Sequence, residues 1–149
     1  MKAITILGTG WLGLELALDL KQKYKIKVSS RTAEKIKIYE DEGLASYILN
    51  EDNLDSLEQL LETNYLFINF PPSKFNDYVS FLSKIYNHKS IQNIEKIIFI
   101  SSTSIYPNIE GLFNEEYQIK DSSNNLVFES EKLVKEKSDV IFRVAGLVG

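Results

Sequence analysis

Residues 3–13 read Ala3-Ile4-Thr5-Ile6-Leu7-Gly8-Thr9-Gly10-Trp11-Leu12-Gly13, and this stretch decides the fold. The first five are apolar but for Thr5 and show no polar alternation, which predicts a strand buried on both faces. Three of the seven glycines follow within six residues, spaced G-x-G-x-x-G. Leu12, Leu14, Leu16, Ala17, Leu18 and Leu20 then predict a largely buried helix. A glycine loop between a strand and a helix brings backbone N–H groups and a positive dipole end toward a phosphate. Gly8 serves the tight turn, Gly10 lets a ligand approach the backbone, and Gly13 lets the helix pack closely on the strand.

The same alternation of short apolar runs and helical periods continues outward. Strands are predicted at 25–29, 45–49, 65–70, 97–100 and 139–144, and helices at 33–42, 54–62, 75–86 and 126–137. Gly43 is placed to end the second helix, and Pro71-Pro72 stop the fourth strand. Residues 107–125 are polar and read as a long loop. Six strands with intervening helices predict one α/β domain over 1–149, a three-layer, doubly wound parallel sheet of the Rossmann kind.

Composition narrows the chemistry. The chain has 149 residues and no cysteine, which removes thiolate nucleophiles and disulfides. Its one histidine, His88, makes an imidazole metal site or a Ser-His-Asp relay an unpromising reading, and no metal is expected. His88 is instead expected on the surface at a helix end. A net charge of −4 carries no footprint of nucleic-acid binding. No apolar run approaches the ~20 residues of a membrane span, and Glu15 and Asp19 interrupt a signal-peptide reading, so the cytoplasm is the expected compartment.

The loop points to a dinucleotide, and the end of the second strand bears on which one. An acid there would hold a ribose 2′-hydroxyl, but the sequence reads Ser29-Ser30-Arg31-Thr32. Only two of the 17 basic residues are arginine, so a guanidinium at this point stands out. Ser30, Arg31 and Thr32 are therefore expected to take a 2′-phosphate, making NADP the expected cofactor over NAD. Trp11 is expected to pack over the loop, to cover the cofactor, or both. Phe70 and Pro71, at the end of the fourth strand, are further candidates for contact with the cofactor.

Ile100-Ser-Ser-Thr-Ser-Ile-Tyr106, with Pro71-Pro72, Gly111, Glu115 and the closing Arg143-Val-Ala-Gly-Leu-Val-Gly149, resembles the extended short-chain dehydrogenase/reductases. The likeness is to the atypical branch of the NAD-dependent epimerase/dehydratase group. It implies a nicotinamide cofactor, a small-molecule substrate such as a sugar nucleotide, and a substrate oxygen held by Ser102, with Thr103 beside it. The group's Tyr-x-x-x-Lys engine is absent: none of the eight tyrosines has lysine four residues later. Phe128-Glu-Ser-Glu-Lys132 keeps the lysine and replaces the phenol, leaving Lys132 as a candidate ribose ligand. Matching Glu131 to the atypical branch's helix glutamate instead puts Ser123 and Val127 at those places. Lys132, Lys135 and Lys137 with Glu129, Glu131 and Glu136 read as an exposed helix face.

Members of the group continue beyond this point into a substrate-binding domain, so either a second subunit, as in a homodimer, walls the cleft, or the protein turns over no substrate. Two functions follow: an NADP-dependent oxidoreductase or epimerase-like enzyme, or a non-catalytic NADP-binding sensor or partner subunit. A hydroxyacid-dehydrogenase-like reductase also carries a glycine loop and an Arg-containing NADP site, but it leaves Ser101 to Tyr106 unexplained.

Overall fold

The structure is a computed structural model and describes residues 1–102 and 125–144. In chain order the elements are β1 (Ala3–Leu7), α1 (Gly10–Leu20), β2 (Lys25–Ser30), α2 (Ala33–Asp41), β3 (Ala45–Ile48), α3 (Leu57–Leu61) and β4 (Tyr65–Ile68). After these come α4 (Tyr78–Tyr86), β5 (Lys96–Ser102), α5 (Asn125–Val134) and β6 (Val140–Val144). Two 3-10 turns, Pro72–Lys74 and Lys89–Asn93, flank α4. The six strands form one sheet in the order β3-β2-β1-β4-β5-β6, and every neighbouring pair is parallel. This is the doubly wound architecture expected from the sequence, with the strand order reversing between β1 and β4.

The near-continuous apolarity of β1 is explained by the layers on either side. Ile4 and Ile6 join Ile26 and Val28 in a core with Ala17 of α1 and Tyr39 of α2. Leu7 faces the other way, into a larger core with Leu66, Ile68, Ile97 and Phe99 and residues of α3, α4 and α5. Thr5, the one polar residue of the strand, is fully buried, and its hydroxyl donates to the Leu60 carbonyl at 2.6 Å. Burial costs little when the hydrogen bond is made.

Several element ends differ from the sequence reading, each for a local reason. The helix expected at 54–62 shrinks to Leu57–Leu61, because Asn50 and Asn53 pair with each other and their side chains hold a turn through Asp52 and Asp55. The strand ladder of β4 stops at Ile68, although the Asn69 N–H still donates to the Leu7 carbonyl. The helix expected from Phe75 starts at Tyr78, where Asp77 accepts from the Ser80 N–H at 3.1 Å. Gly43 does end α2: the Leu44 N–H reaches Tyr39 and the Gly43 N–H reaches Glu40, a Schellman arrangement. His88 sits at the end of α4, as expected, its N–H donating to the Ile85 carbonyl, and its Nδ1 accepts from the Ser90 N–H to cap the unforeseen turn Lys89–Asn93. Most of the expected loop at 107–125 lies outside the described residues.

Among the described residues, one part of the sheet is left exposed. Val140 and Phe142 of the edge strand β6 point away from α4 and α5, and Phe142 is 52% exposed. Among the described residues no helix is long and apolar enough to cross a membrane.

Two buried tyrosines of α4 make a controlled test of the larger core. Burial pushes both phenols above their ordinary pKa. The Tyr86 hydroxyl meets Ser138 Oγ at 2.8 Å, whereas the Tyr78 hydroxyl has no partner among the described residues. Urea unfolding should show Tyr86→Phe destabilised by about 1 kcal/mol, and Tyr78→Phe unchanged or stabilised, because only the first loses a hydrogen bond.

Candidate functional site

The glycine loop lies where the strand order reverses, with β4 on one side and β2 on the other. Gly8 has φ +74°, and a Cβ there would stand 2.7 Å from both the Asn69 carbonyl oxygen and Phe70 Cδ1. The turn can therefore close only on glycine. Gly10 has φ +50°, but its missing Cβ faces no atom of the described residues within 4 Å. At Gly13 the constraint is packing, since a Cβ would meet Ile6 of β1 at 3.1 Å. The sheet thus needs Gly8 and Gly13, while Gly10 borders open space.

Ser29 of β2 holds this loop, a role the sequence did not reveal. Its Oγ accepts from the Gly8 N–H at 2.9 Å, and its carbonyl accepts from the Thr9 hydroxyl at 2.7 Å and the Thr9 N–H at 3.3 Å. Both Ser29 and Thr9 are buried. Thr9 stands at the N-cap of α1, yet its hydroxyl is turned to Ser29 and caps nothing. The first turn of α1 also carries no acidic residue, so no side chain of that turn competes for its amides. The Thr9 hydroxyl is thus committed to the fold, and its backbone remains at the loop. Behind the loop, Tyr39 of α2 is a buried phenol whose pKa is raised by burial, opposed by a hydrogen bond from the Gly10 backbone.

The remaining expected cofactor residues divide. Trp11 is half exposed beside Gly10, and Leu12 is half-buried. Ser30 closes β2 with its Oγ accepting from the Thr32 N–H, while Arg31 is half-buried and Thr32 exposed. The Arg31 carbonyl is fixed by the Asn50 side chain, which ties the ends of β2 and β3 together. Pro71 is exposed at the rim. The Phe70 ring is buried in edge-to-face contact with Phe75, Tyr78 and Phe81 and walls the underside of Gly8.

At the other half of the cleft, Ser102 is the last residue of β5 and pairs with Val144, whereas Thr103 lies outside the described residues, as do Tyr106, Tyr117 and Ser123. Lys132 is exposed on α5 and Phe128 is half-buried on the same helix. Glu131 corrects the exposed-face reading of α5. With Val127, Ser130 and Val134 it makes the buried stripe of the helix, and its carboxylate accepts from Ser101 Oγ at 2.5 Å. The Arg143 guanidinium donates to the same carboxylate, Nε at 3.0 Å and Nη2 at 2.9 Å. Glu131 is buried because a forked cation meets it. The signal was present: Val127, Glu131 and Val134 share an i, i+4, i+7 stripe, and Arg143 shares the inward parity of Ile141.

A cavity of about 510 Å³ lined by Tyr86, His88, Ile91, Ile97, Lys137 and Asp139 opens at the opposite edge, beside the amino ends of β5 and β6. Its polar groups serve the fold: Lys137 donates to the Tyr86 carbonyl and Asp139 accepts from the Ile97 N–H. Among the described residues, no group of three His, Asp or Glu side chains could hold a metal ion.

No family model matches the chain. Protein YeeZ of Escherichia coli strain K12 is 28% identical over 169 residues, an alignment that takes in all of this chain and 60% of YeeZ. A solved structure from Methylobacillus flagellatus, provisionally described as an NAD-dependent epimerase/dehydratase, superposes with a TM-score of 0.78 at 25% identity over 99% of this chain and 55% of its own. UDP-glucuronic acid 4-epimerase from Bacillus cereus, solved with NAD, gives 0.71 at 16% identity over 99% and 57%. A functionally unknown conserved protein from Silicibacter pomeroyi gives 0.77 at 18% identity over 100% and 54%. The chain thus spans little more than half the length of the proteins it matches, and within that span it has the fold of the NAD-dependent epimerase/dehydratase group, as its glycine and strand-five motifs imply.

Proposed function

We propose that the chain binds a nicotinamide dinucleotide across the carboxyl edge of its sheet and forms the cofactor half of an epimerase- or reductase-like oxidoreductase. One observation carries this reading: the Thr9 side chain leaves the N-cap of α1 unfilled, and the turn opens at Gly10, clear of the described residues, at the point where the strand order reverses. The residues fit a diphosphate. The amides of Trp11 and Leu12 would receive it, and Trp11 would cover it. When bound, the nicotinamide supplies the hydride chemistry, and the protein supplies position. Ser102, Thr103 and Lys132 are the side chains proposed to meet the substrate and the nicotinamide ribose.

Solved relatives in the epimerase group carry NAD in their complexes, which supports the dinucleotide class. The preference proposed for this chain is NADP, supported by Ser30-Arg31-Thr32 where an NAD site would have an acid. A sugar nucleotide is the proposed substrate class, by analogy with the UDP-sugar epimerases of similar fold. A second copy is proposed to cover the bare face at Val140 and Phe142. The alternative, a dinucleotide-binding sensor or partner subunit without turnover, is favoured by Phe128, which cannot exchange a proton. Oxidation of bound NADPH by any member of a carbonyl and sugar-nucleotide panel would decide for the enzyme, and a flat nicotinamide absorbance for the sensor.

The direct test is a titration read by fluorescence of the sole tryptophan, Trp11. The parent should bind NADPH more tightly than NADH. Arg31→Ala should lose roughly tenfold or more for NADPH and stay within about twofold for NADH, as expected for a lost hydrogen-bonded charge. Equal affinity for both cofactors in the parent would remove the NADP assignment. The glycines separate fold from site. Gly8→Ala should destabilise by more than about 2 kcal/mol in urea, since φ and the Asn69 and Phe70 contacts both oppose a methyl group. Gly10→Ala should cost only about 1–2 kcal/mol yet weaken dinucleotide binding. Unchanged binding in Gly10→Ala would contradict the proposed diphosphate site.

A further inference from the structure

Ser101 and Arg143 are register partners on β5 and β6, and their side chains leave the sheet on the face that carries α5. Glu131 comes down from α5 onto both, so one carboxylate joins three elements. Below this level the same sheet face is apolar, with Ile97, Phe99 and Ile141. A buried ion pair contributes less to stability than apolar packing of similar volume, so stability alone is a weak reason for charge here. Among the described residues of this face, the buried charge lies at the carboxyl ends of the strands, the edge at which open α/β sheets take ligands. In such sheets β1–β3 hold one mononucleotide half and β4–β6 the other.

We infer that Ser101, Glu131 and Arg143 are positioning residues for the second mononucleotide, the half of the ligand that carries the nicotinamide. This rests on the reading that the cleft takes a nicotinamide dinucleotide. None of the three needs to touch the ligand. By tying Ser101 and Arg143 to α5 they fix the ends of β5 and β6, and with them the backbone of Ser102 and Val144, which pair at the next step of the ladder. The glycine loop, held by Ser29, fixes the other half independently. A site is only as accurate as the groups that support it, and here the two halves have separate supports.

The test uses two ligands: the dinucleotide the parent prefers, and ADP, which carries adenosine and diphosphate but no second nucleoside. Ser101→Ala and Glu131→Gln are compared with the parent by calorimetry, alongside their thermal midpoints. Both variants should lose roughly tenfold for the dinucleotide and stay within about twofold for ADP. Ser101→Ala, which removes one hydrogen bond and leaves the ion pair, decides the matter if Glu131→Gln does not fold. Equal losses for both ligands, or no loss for either, would overturn the inference while leaving dinucleotide binding intact. A parent that binds neither ligand would overturn the binding reading and this inference with it.

Discussion

The contact between Ser29 and the turn after β1 organises everything at the carboxyl edge of this sheet. Ser29 uses its hydroxyl oxygen and its carbonyl on two successive residues, Gly8 and Thr9, and so fixes the direction in which the chain enters α1. Drawing the Thr9 hydroxyl inward has a cost, since an N-cap side chain is worth about 1 kcal/mol to a helix. What the helix forgoes as a cap, it keeps as the N–H groups of Trp11 and Leu12 at the ligand edge. On the β4 side, the Asn69 carbonyl and the Phe70 ring close against Gly8 and leave no slack. The loop is thereby shaped before any ligand arrives, which spares the ordering cost of binding.

The far end of the cleft is organised by charge. The Glu131–Arg143 pair with Ser101 links a helix to two strands at the level where β5 and β6 end. The two halves of the sheet are therefore locked by different chemistry, backbone hydrogen bonds to one serine on one side and a forked ion pair on the other. Removing one member of a buried pair leaves the other charge stranded, whereas removing a serine hydroxyl leaves a smaller deficit.

Most of the architecture was legible because parallel strands buried on both faces leave dense apolar runs, as in Ala3–Leu7 and Tyr65–Ile68. The ends of elements were less so. Phe70 extends the apolar run of β4 but belongs to the aromatic cluster with Phe75 and Phe81, and hydrophobicity alone does not separate a ladder residue from a core residue. Ser29 was invisible for another reason: a serine at a strand end looks the same whether it faces solvent or holds a loop. Glu131 was misread because its charge fitted an alternating pattern along α5, while its partner lies twelve residues on, in another strand. The glycine loop was read because its spacing expresses backbone geometry directly, and Gly8 and Gly13 sit where a side chain would collide.

The central claim is that the start of α1, whose N-cap the Thr9 hydroxyl leaves unfilled, receives a diphosphate. Backbone amide NMR during a titration with NADPH tests it most directly. The account predicts saturable shifts concentrated at the amides of Gly10, Trp11 and Leu12, with smaller changes at Ser30 and Arg31. Shifts confined to residues lining the opposite cavity, such as His88 and Ile91, or amides of α1 that stay still at saturating ligand, would contradict it.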